Sequence, residues 1–171
     1  MPTADADWER RLAEAWASAD RLGDAELREL IERLAAELPP ESPVGLFERA
    51  GSFDSTGRSD LAVPLYRRAI AGGLTGERRR RAAIQLASSL RNVGEAQESV
   101  ALLRAELHEE SDQLDGAVRA FLALALVDTG QEREAVSLAL EALVPHLPRY
   151  QRSLAAYARE LVEPEPPGTG P

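Results

Sequence analysis

Apolar and small residues recur in the same order three times between residues 43 and 145. Each copy is centred on a glycine, and the three glycines are Gly57, Gly94 and Gly130. An alanine lies seven residues before each glycine and a leucine lies eight residues after it, at Ala50, Ala87, Ala123 and at Leu65, Leu102, Leu138. Strands are not expected, because Ala, Leu, Glu and Arg dominate the sequence while β-branched residues are sparse.

The spacing on both sides of each glycine is that of an amphipathic helix. A glycine at the end of an apolar stripe can adopt the left-handed backbone conformation that ends a helix without a Cβ penalty. Each copy is therefore predicted to be a helical hairpin, and the alanines before the glycines are predicted to be buried where helices cross. One hairpin cannot bury its apolar stripe alone, so the copies are expected to stack. Pro64 is expected within the first two turns of its helix, where the missing N–H does least damage.

The flanking segments fit the ends of such a stack. Residues 1–40 are predicted to form an N-terminal helical hairpin that turns at Gly23, and the proline-rich segment "LPPESP" follows it. Residues 148–163 are predicted to form a last amphipathic helix that covers the third copy, with the apolar stripe of the helix over residues 117–128 expected beneath it. Residues 164–171 are rich in proline and glycine and are predicted to be a disordered tail. The whole chain is thus expected to hold about nine helices.

The pattern resembles the tetratricopeptide repeat, whose period is about 34 residues with small residues at two crossing points. The first copy matches it at Leu46, Ala50, Phe53, Ala62, Tyr66 and Ala69. The second keeps Leu86, Ala87, Leu90 and Leu103 but has Ser99 and Glu106 where alanine is usual; the third keeps Leu122, Ala123, Leu126, Ala135 and Ala142, with Ala139 replacing a large residue. The chain is also similar to the bacterial group called tetratrico peptide repeat group five. The resemblance implies an all-α fold of the α-α superhelix type, with repeats at 43–75, 78–111 and 115–145.

Composition narrows the range of partners and compartments. The formal net charge is −9, so a protein that tracks a nucleic-acid backbone is not expected. There is no cysteine, which excludes disulfides and thiolate chemistry. No apolar run reaches the roughly 18 residues that a membrane span requires. The N-terminal segment has no apolar core like that of a signal peptide, so we expect a cytoplasmic protein.

Catalytic and cofactor motifs are not found. A phosphate-binding loop with lysine is impossible because the chain has no lysine: its 20 basic residues are all arginine. The two histidines, His108 and His146, lack the spacing of a zinc-binding pair and are expected at the surface. Neither an enzyme, nor a cofactor, nor a metal site is predicted.

The resemblance implies a protein–protein interaction module, because the first helices of successive repeats in this family line a concave groove that holds peptides. The helix face opposite the packed stripe then supplies the candidate site residues: Phe47, Asp54, Ser55, Arg81, Gln85, Ser88, Arg91, Asn92, Phe121 and Asp128. Two interpretations stay open for Phe47, which is either core beneath the N-terminal hairpin or an exposed peptide anchor. The polar stripe that starts at Arg81 is either a solvated face or a binding face.

Four consecutive arginines, Arg78 to Arg81, crowd a predicted helix start, where the helix dipole disfavours cations. Acidic neighbours neutralise them in one interpretation, and an acidic partner docks on them in the other. Two alternatives to peptide binding also stay open for the whole chain: a self-associating homodimeric scaffold, and a protein that binds a small ligand.

Overall fold

The computed structural model describes residues 4–163, which divide into two compact units with the boundary between Glu95 and Ala96. The first unit contains α1 (Ala6–Ala17), α2 (Asp24–Ala35), α3 (Pro43–Ser55), α4 (Ser59–Ala71) and α5 (Gly76–Asn92). The second unit contains α6 (Ala96–Glu106), α7 (Asp115–Asp128), α8 (Glu132–Leu143) and α9 (Gln151–Glu160). Residues 4–163 contain these nine α-helices, two short 3₁₀ turns and no strand. The predicted all-α fold is confirmed.

The boundary between the units falls inside the second predicted repeat, 78–111, since α5 belongs to the first unit and α6 to the second. The repeat limits drawn from the sequence therefore stay a prediction. So do the limits of the N-terminal hairpin at 1–40 and of the C-terminal helix at 148–163. The predicted tail, 164–171, lies outside the described residues.

The three repeat glycines end helices as predicted. Gly57, Gly94 and Gly130 have φ angles of 73°, 89° and 75°, in the left-handed region. After each glycine, the next amide N–H donates to the carbonyl of the apolar residue four positions before the glycine: Arg58 to Phe53 (2.8 Å), Glu95 to Leu90 (2.8 Å) and Gln131 to Leu126 (2.9 Å). This bond is characteristic of the Schellman motif, which satisfies carbonyls at a helix end. The same helix C-terminal motif thus occurs three times along the chain.

Pro64 lies in the second turn of α4, which begins at Ser59 and continues unbroken to Ala71. This position confirms the sequence prediction. The helix is not broken, because the proline ring and the missing N–H lie close to its N-terminus, where few backbone N–H groups form intrahelical hydrogen bonds.

Small buried residues allow the helices of the first unit to approach one another. α3 packs against α4, and α4 packs against α5. Ala50 on α3 and Ala87 on α5 are completely buried, as are Ala62 and Ala69 on α4. The predicted burial of Ala50, Ala87 and Ala123 is confirmed; Ala123, in the second unit, is 7% exposed.

α1 and α2 close the N-terminal end of the first unit with an apolar cluster of their own. Trp8, Leu12 and Ile31 are buried in it. The indole Nε1–H of Trp8 donates to the carbonyl of Leu34 at 2.8 Å, which satisfies the one polar atom of this large side chain. The aspartate Asp5 caps α1 by accepting from the amide of Trp8. This N-terminal pair of helices contacts the rest of the unit through α2, which packs on α3.

In the second unit, α7 packs against both α6 and α8, and α9 packs on α8. Val118, Leu122 and Leu126 on α7 are completely buried. The hydroxyl of Ser137 on α8 donates to the carbonyl of Ala158 at 2.7 Å and fixes α9 in place. α9 therefore covers α8 rather than the apolar stripe of α7.

Candidate protein interaction surface

Five of the ten candidate residues line one cleft in the first unit. Residues three and four positions apart share a face of a helix. One side of α3 therefore carries Phe47, Asp54 and Ser55, and one side of α5 carries Arg81 and Gln85. The cleft has a volume of about 150 Å³. We call it the α3–α5 cleft; its lining residues are Trp16, Phe47, Glu48, Gly51, Asp54, Ser55, Arg81 and Gln85.

Phe47 forms the apolar floor of the α3–α5 cleft. Its side chain is 2% exposed, so the interpretation as an exposed peptide anchor is wrong and the interpretation as a core residue is correct. The ring packs against Tyr66 of α4, with 6.1 Å between ring centroids and 51° between ring planes. A fully buried side chain of this size contributes roughly 1.5–3 kcal/mol, which is why α3 turns it inward.

Arg81 covers the ring of Phe47. The guanidinium carbon lies 5.4 Å from the ring centroid, which is within the range of a cation–π interaction. Arg81 itself is exposed, so the contact forms at the boundary with solvent. A cation therefore already lies at the aromatic part of the cleft.

Glu48 and Trp16 complete the cleft, although the sequence did not single them out as site residues. Glu48 is 4% exposed, and the indole Nε1–H of Trp16 donates to its Oε2 at 2.8 Å. Burial raises the pKa of the Glu48 carboxyl, while the bond from Trp16 and the charges of Arg78 and Arg81 act in the opposite direction. The contact joins residues 32 positions apart. Helical periodicity has no means of revealing such a pair.

Asp54 is the second carboxylate of the cleft, and hydroxyl groups hold it. Ser89 donates to Asp54 Oδ1 at 2.7 Å, and Ser59 donates to the same atom at 3.4 Å. Asn92 extends the network by donating from Nδ2 to the hydroxyl of Ser59 at 3.2 Å. Burial raises the pKa of the Asp54 carboxyl, and the hydrogen bonds from Ser89 and Ser59 oppose that shift. Asn92 thus joins the site indirectly.

Oε1 of Gln85 is buried beside the cleft and lacks a hydrogen-bond partner within the described residues. Gly51 keeps the floor open near Tyr66, since a Cβ built there would lie 3.3 Å from Trp16 Cζ2 and 3.9 Å from the Tyr66 hydroxyl. Burial raises the pKa of the Tyr66 hydroxyl, and the nearby carboxylates of Asp54 and Glu48 raise it further. The hydroxyl is therefore a permanent hydrogen-bond donor.

Arg78 is neutralised by acidic neighbours. Both of its terminal nitrogens donate to the carboxylate of Glu9 on α1, at 2.9 and 2.5 Å, and its Nε donates to Glu48 at 3.4 Å. Hydrogen bonding to Glu9 raises the pKa of Arg78. Arg80 is only 6% exposed, so it belongs to the interior of the unit and not to an outer docking surface. Neutralisation thus accounts for Arg78, and docking of an acidic partner on Arg79 and Arg81 stays a prediction.

The other two candidate residues of α5, Ser88 and Arg91, are half-buried and do not line the cleft. The serine that bonds Asp54 is the next one, Ser89, which is completely buried. A rotation of about 100° separates successive residues on a helix, and it places these two serines on different faces.

In the second unit, α7 presents an apolar stripe to solvent. Leu124 is 47% exposed and Val127 is 51% exposed, whereas Phe121 is half-buried and Asp128 is exposed. The expectation that the last helix buries this stripe is wrong for Leu124 and Val127, because α9 packs on α8. We call Phe121, Leu124 and Val127 the α7 stripe.

Metal binding finds no support in the part of the chain that the structure describes, where no group of three or more potential ligands is close enough to hold an ion. His108 and His146 are both exposed, as predicted. Between residues 4 and 163, no helix combines the length and the apolar character needed to traverse a bilayer.

Comparisons with known proteins agree with this architecture. A family model described as "Tetratrico peptide repeat" matches residues 43–161. A solved structure titled "MamA MSR-1 C2" superposes with a TM-score of 0.60 at 20% sequence identity, and the alignment covers 91% of this chain and 80% of that one. At this identity the likeness concerns the fold alone. No curated protein matches the chain.

Proposed function

The chain belongs to the tetratrico peptide repeat family, and from this premise we propose that it is a non-catalytic protein interaction module. Its partner is a protein or peptide held on the first helices of the hairpins, with the face of α3 and α5 as the main contact. The non-catalytic role rests on the general character of the family, whose members bind other proteins.

The α3–α5 cleft is the observation that carries the proposal. It combines an aromatic floor at Phe47, an exposed arginine at Arg81, a buried carboxylate at Glu48 and a half-buried carboxylate at Asp54. Interfaces usually depend on a few anchors that enter desolvated pockets, with arginine and aromatic residues over-represented among them. A volume of about 150 Å³ suits one side chain of a partner and is small for most ligands of drug size. A protein partner therefore fits the cleft better than a free small molecule.

The α7 stripe is a separate candidate contact area, on the second unit. Leu124 and Val127 are each about half exposed, and a stripe of this kind suits the apolar face of a partner helix. From Ala96 onward the sequence has 13 acidic residues against 6 arginines, so a basic partner is favoured near this unit.

Self-association is a second candidate function, and the exposure of the α7 stripe is what favours it. A homodimer would bury Leu124 and Val127 against a second copy. Light scattering over a range of concentrations tests this alternative, with Leu124→Ser as the variant. A dimer that dissociates in Leu124→Ser supports self-association, and a monomer at high concentration rejects it.

Affinity capture from native lysate tests the proposed function. The bait proteins are the intact chain, an Arg81→Ala variant, and an Arg152→Ala variant on α9 as a control of equal charge. We expect Arg81→Ala to lose the captured partner and Arg152→Ala to retain it. Both variants should melt close to the parent temperature, because Arg81 and Arg152 are exposed and exposed charges contribute little to stability. Capture that persists in Arg81→Ala contradicts the proposed surface.

A further inference from the structure

We infer that the α3–α5 cleft receives an arginine side chain of the partner, and that Arg81 occupies its aromatic face until the partner binds. The inference rests on the proposed function and adds the chemistry of the ligand. In this account Arg81 is an internal substitute for the partner's arginine, and binding is an exchange of one guanidinium for another.

The aromatic face of the cleft already holds a guanidinium. Arg81 lies 5.4 Å from the centroid of the Phe47 ring, and the ring is otherwise enclosed by the core. A planar, weakly hydrated guanidinium stacks on aromatic faces more readily than an ammonium does. The same face therefore suits the guanidinium of an incoming arginine.

Acceptor atoms surround this position and match the donors of a guanidinium. The carboxylates of Glu48 and Asp54 line the cleft, and Oε1 of Gln85 is buried there without a donor within the described residues. A guanidinium carries five N–H donors in a rigid fork and accepts nothing. A carboxylate ligand would instead face the carboxylates of Glu48 and Asp54, and Arg81 would be its only cationic partner among the lining residues.

Arg81 is also the arginine that is able to move. Its side chain is exposed, whereas Arg78 is fixed by both terminal nitrogens to Glu9 and by Nε to Glu48. Releasing an exposed cation to solvent costs little. About 150 Å³ remains open beside Arg81, and the missing side chain of Gly51 contributes to that space. A partner's arginine therefore has room to enter as Arg81 leaves.

The overall charge agrees with a cationic ligand. At a net charge of −9, the chain attracts basic segments and repels acidic ones over long range. Once displaced, Arg81 is available at the rim of the cleft for an acceptor of the partner, such as a backbone carbonyl.

Ethylguanidinium is the probe that tests this inference without the natural partner, so the result does not depend on whether the proposed partner is found. The chain has two tryptophans, and their indole N–H signals in ¹H–¹⁵N NMR spectra report on different places. Trp16 donates to Glu48 in the cleft, and Trp8 donates to the carbonyl of Leu34 in the N-terminal core. Trp16 is the reporter and Trp8 is the internal control.

Titrations are made on the parent, on Arg81→Ala and on Arg91→Ala, which removes a second arginine of α5 outside the cleft. We expect Arg81→Ala to bind ethylguanidinium about tenfold more tightly than the parent and Arg91→Ala, with the Trp16 signal shifting and the Trp8 signal unchanged. Adding Glu48→Gln to Arg81→Ala should abolish the increase in affinity for ethylguanidinium. If that double variant does not fold, Arg81→Ala/Asp54→Asn serves the same purpose. Equal affinities of Arg81→Ala and Arg91→Ala, or equal shifts of both tryptophans, overturn the inference.

Discussion

Arg81 on α5 lies over Phe47 on α3, with 5.4 Å between the guanidinium carbon and the ring centroid. One face of the ring thus contributes to the cleft, while the side chain as a whole is 2% exposed and packs on Tyr66. The same aromatic residue therefore supports the packing of α3 on α4 and forms the floor of the proposed binding surface. A change at Phe47 is expected to affect stability and binding together, so Arg81 is the better position for separating the two.

Ala87→Leu should destabilise the protein. Ala87 is completely buried at a helix crossing, and a larger side chain there forces neighbouring groups apart at a cost of about 1–3 kcal/mol. Urea denaturation monitored by circular dichroism measures the loss. Ala101→Leu, at an exposed position of α6, is the control and should remain within about 0.5 kcal/mol of the parent. An Ala87→Leu protein at least as stable as the parent contradicts the close packing described here.

Gly94→Ala should also destabilise the protein, for a backbone reason. The φ angle of 89° lies in the left-handed region, where a side chain costs roughly 1–2 kcal/mol, although nothing lies within 4 Å of the added Cβ. Gly116→Ala is the matched control, because Gly116 lies in the first turn of α7 without a positive φ and also has free space around it. That change should be neutral or slightly stabilising. Equal effects of the two substitutions on the denaturation midpoint would refute the backbone argument.

The stability difference between the parent and Asp54→Asn should depend on pH. Burial raises the pKa of the Asp54 carboxyl above the ordinary value of 3.8. The carboxyl therefore has a higher pKa in the folded state than in the unfolded state. Its contribution to the free energy of unfolding is complete below about pH 3.8 and decreases as the pH rises through the folded-state pKa. Relative to Asp54→Asn, the parent should therefore lose stability between acidic and neutral pH. Urea midpoints of both proteins, measured at several pH values, test this.

Asp60→Asn is the control for that experiment, and it should show the opposite trend. The hydrogen bond from Arg58 lowers the pKa of the Asp60 carboxyl, so the contribution of Asp60 is present above 3.8 and is lost as pH falls. A stability difference between the parent and Asp54→Asn that stays constant across this range would contradict the raised pKa of the Asp54 carboxyl.

Much of the fold was predictable because it depends on local patterns. The glycines at 57, 94 and 130, with apolar residues at fixed distances from them, determine where helices end, and the same Schellman bond follows each glycine. The position of Pro64 and the burial of Ala50 and Ala87 follow from the same periodicity.

The site was only partly predictable, because its remaining contacts join distant segments. Arg78 bonds Glu9 across 69 positions, and Trp16 bonds Glu48 across 32. Helical periodicity assigns a residue to a face but does not determine which neighbouring helix covers that face. Two residues illustrate this limit. Phe47 packs inward against Tyr66, and Leu124 is exposed because α9 packs on α8 and not on α7.

Site-specific photo-crosslinking tests the proposed partner surface most directly. A benzophenone side chain replaces Ser55, an exposed residue that lines the α3–α5 cleft, or Ala71, an exposed residue of α4 outside it. Each protein is irradiated in native lysate, and the adducts are identified by mass spectrometry. We expect an adduct with a partner protein from position 55 and none from position 71, and excess parent protein should suppress the adduct at position 55. Adducts of equal yield from both positions, or an adduct from position 71 alone, would contradict the proposed partner surface.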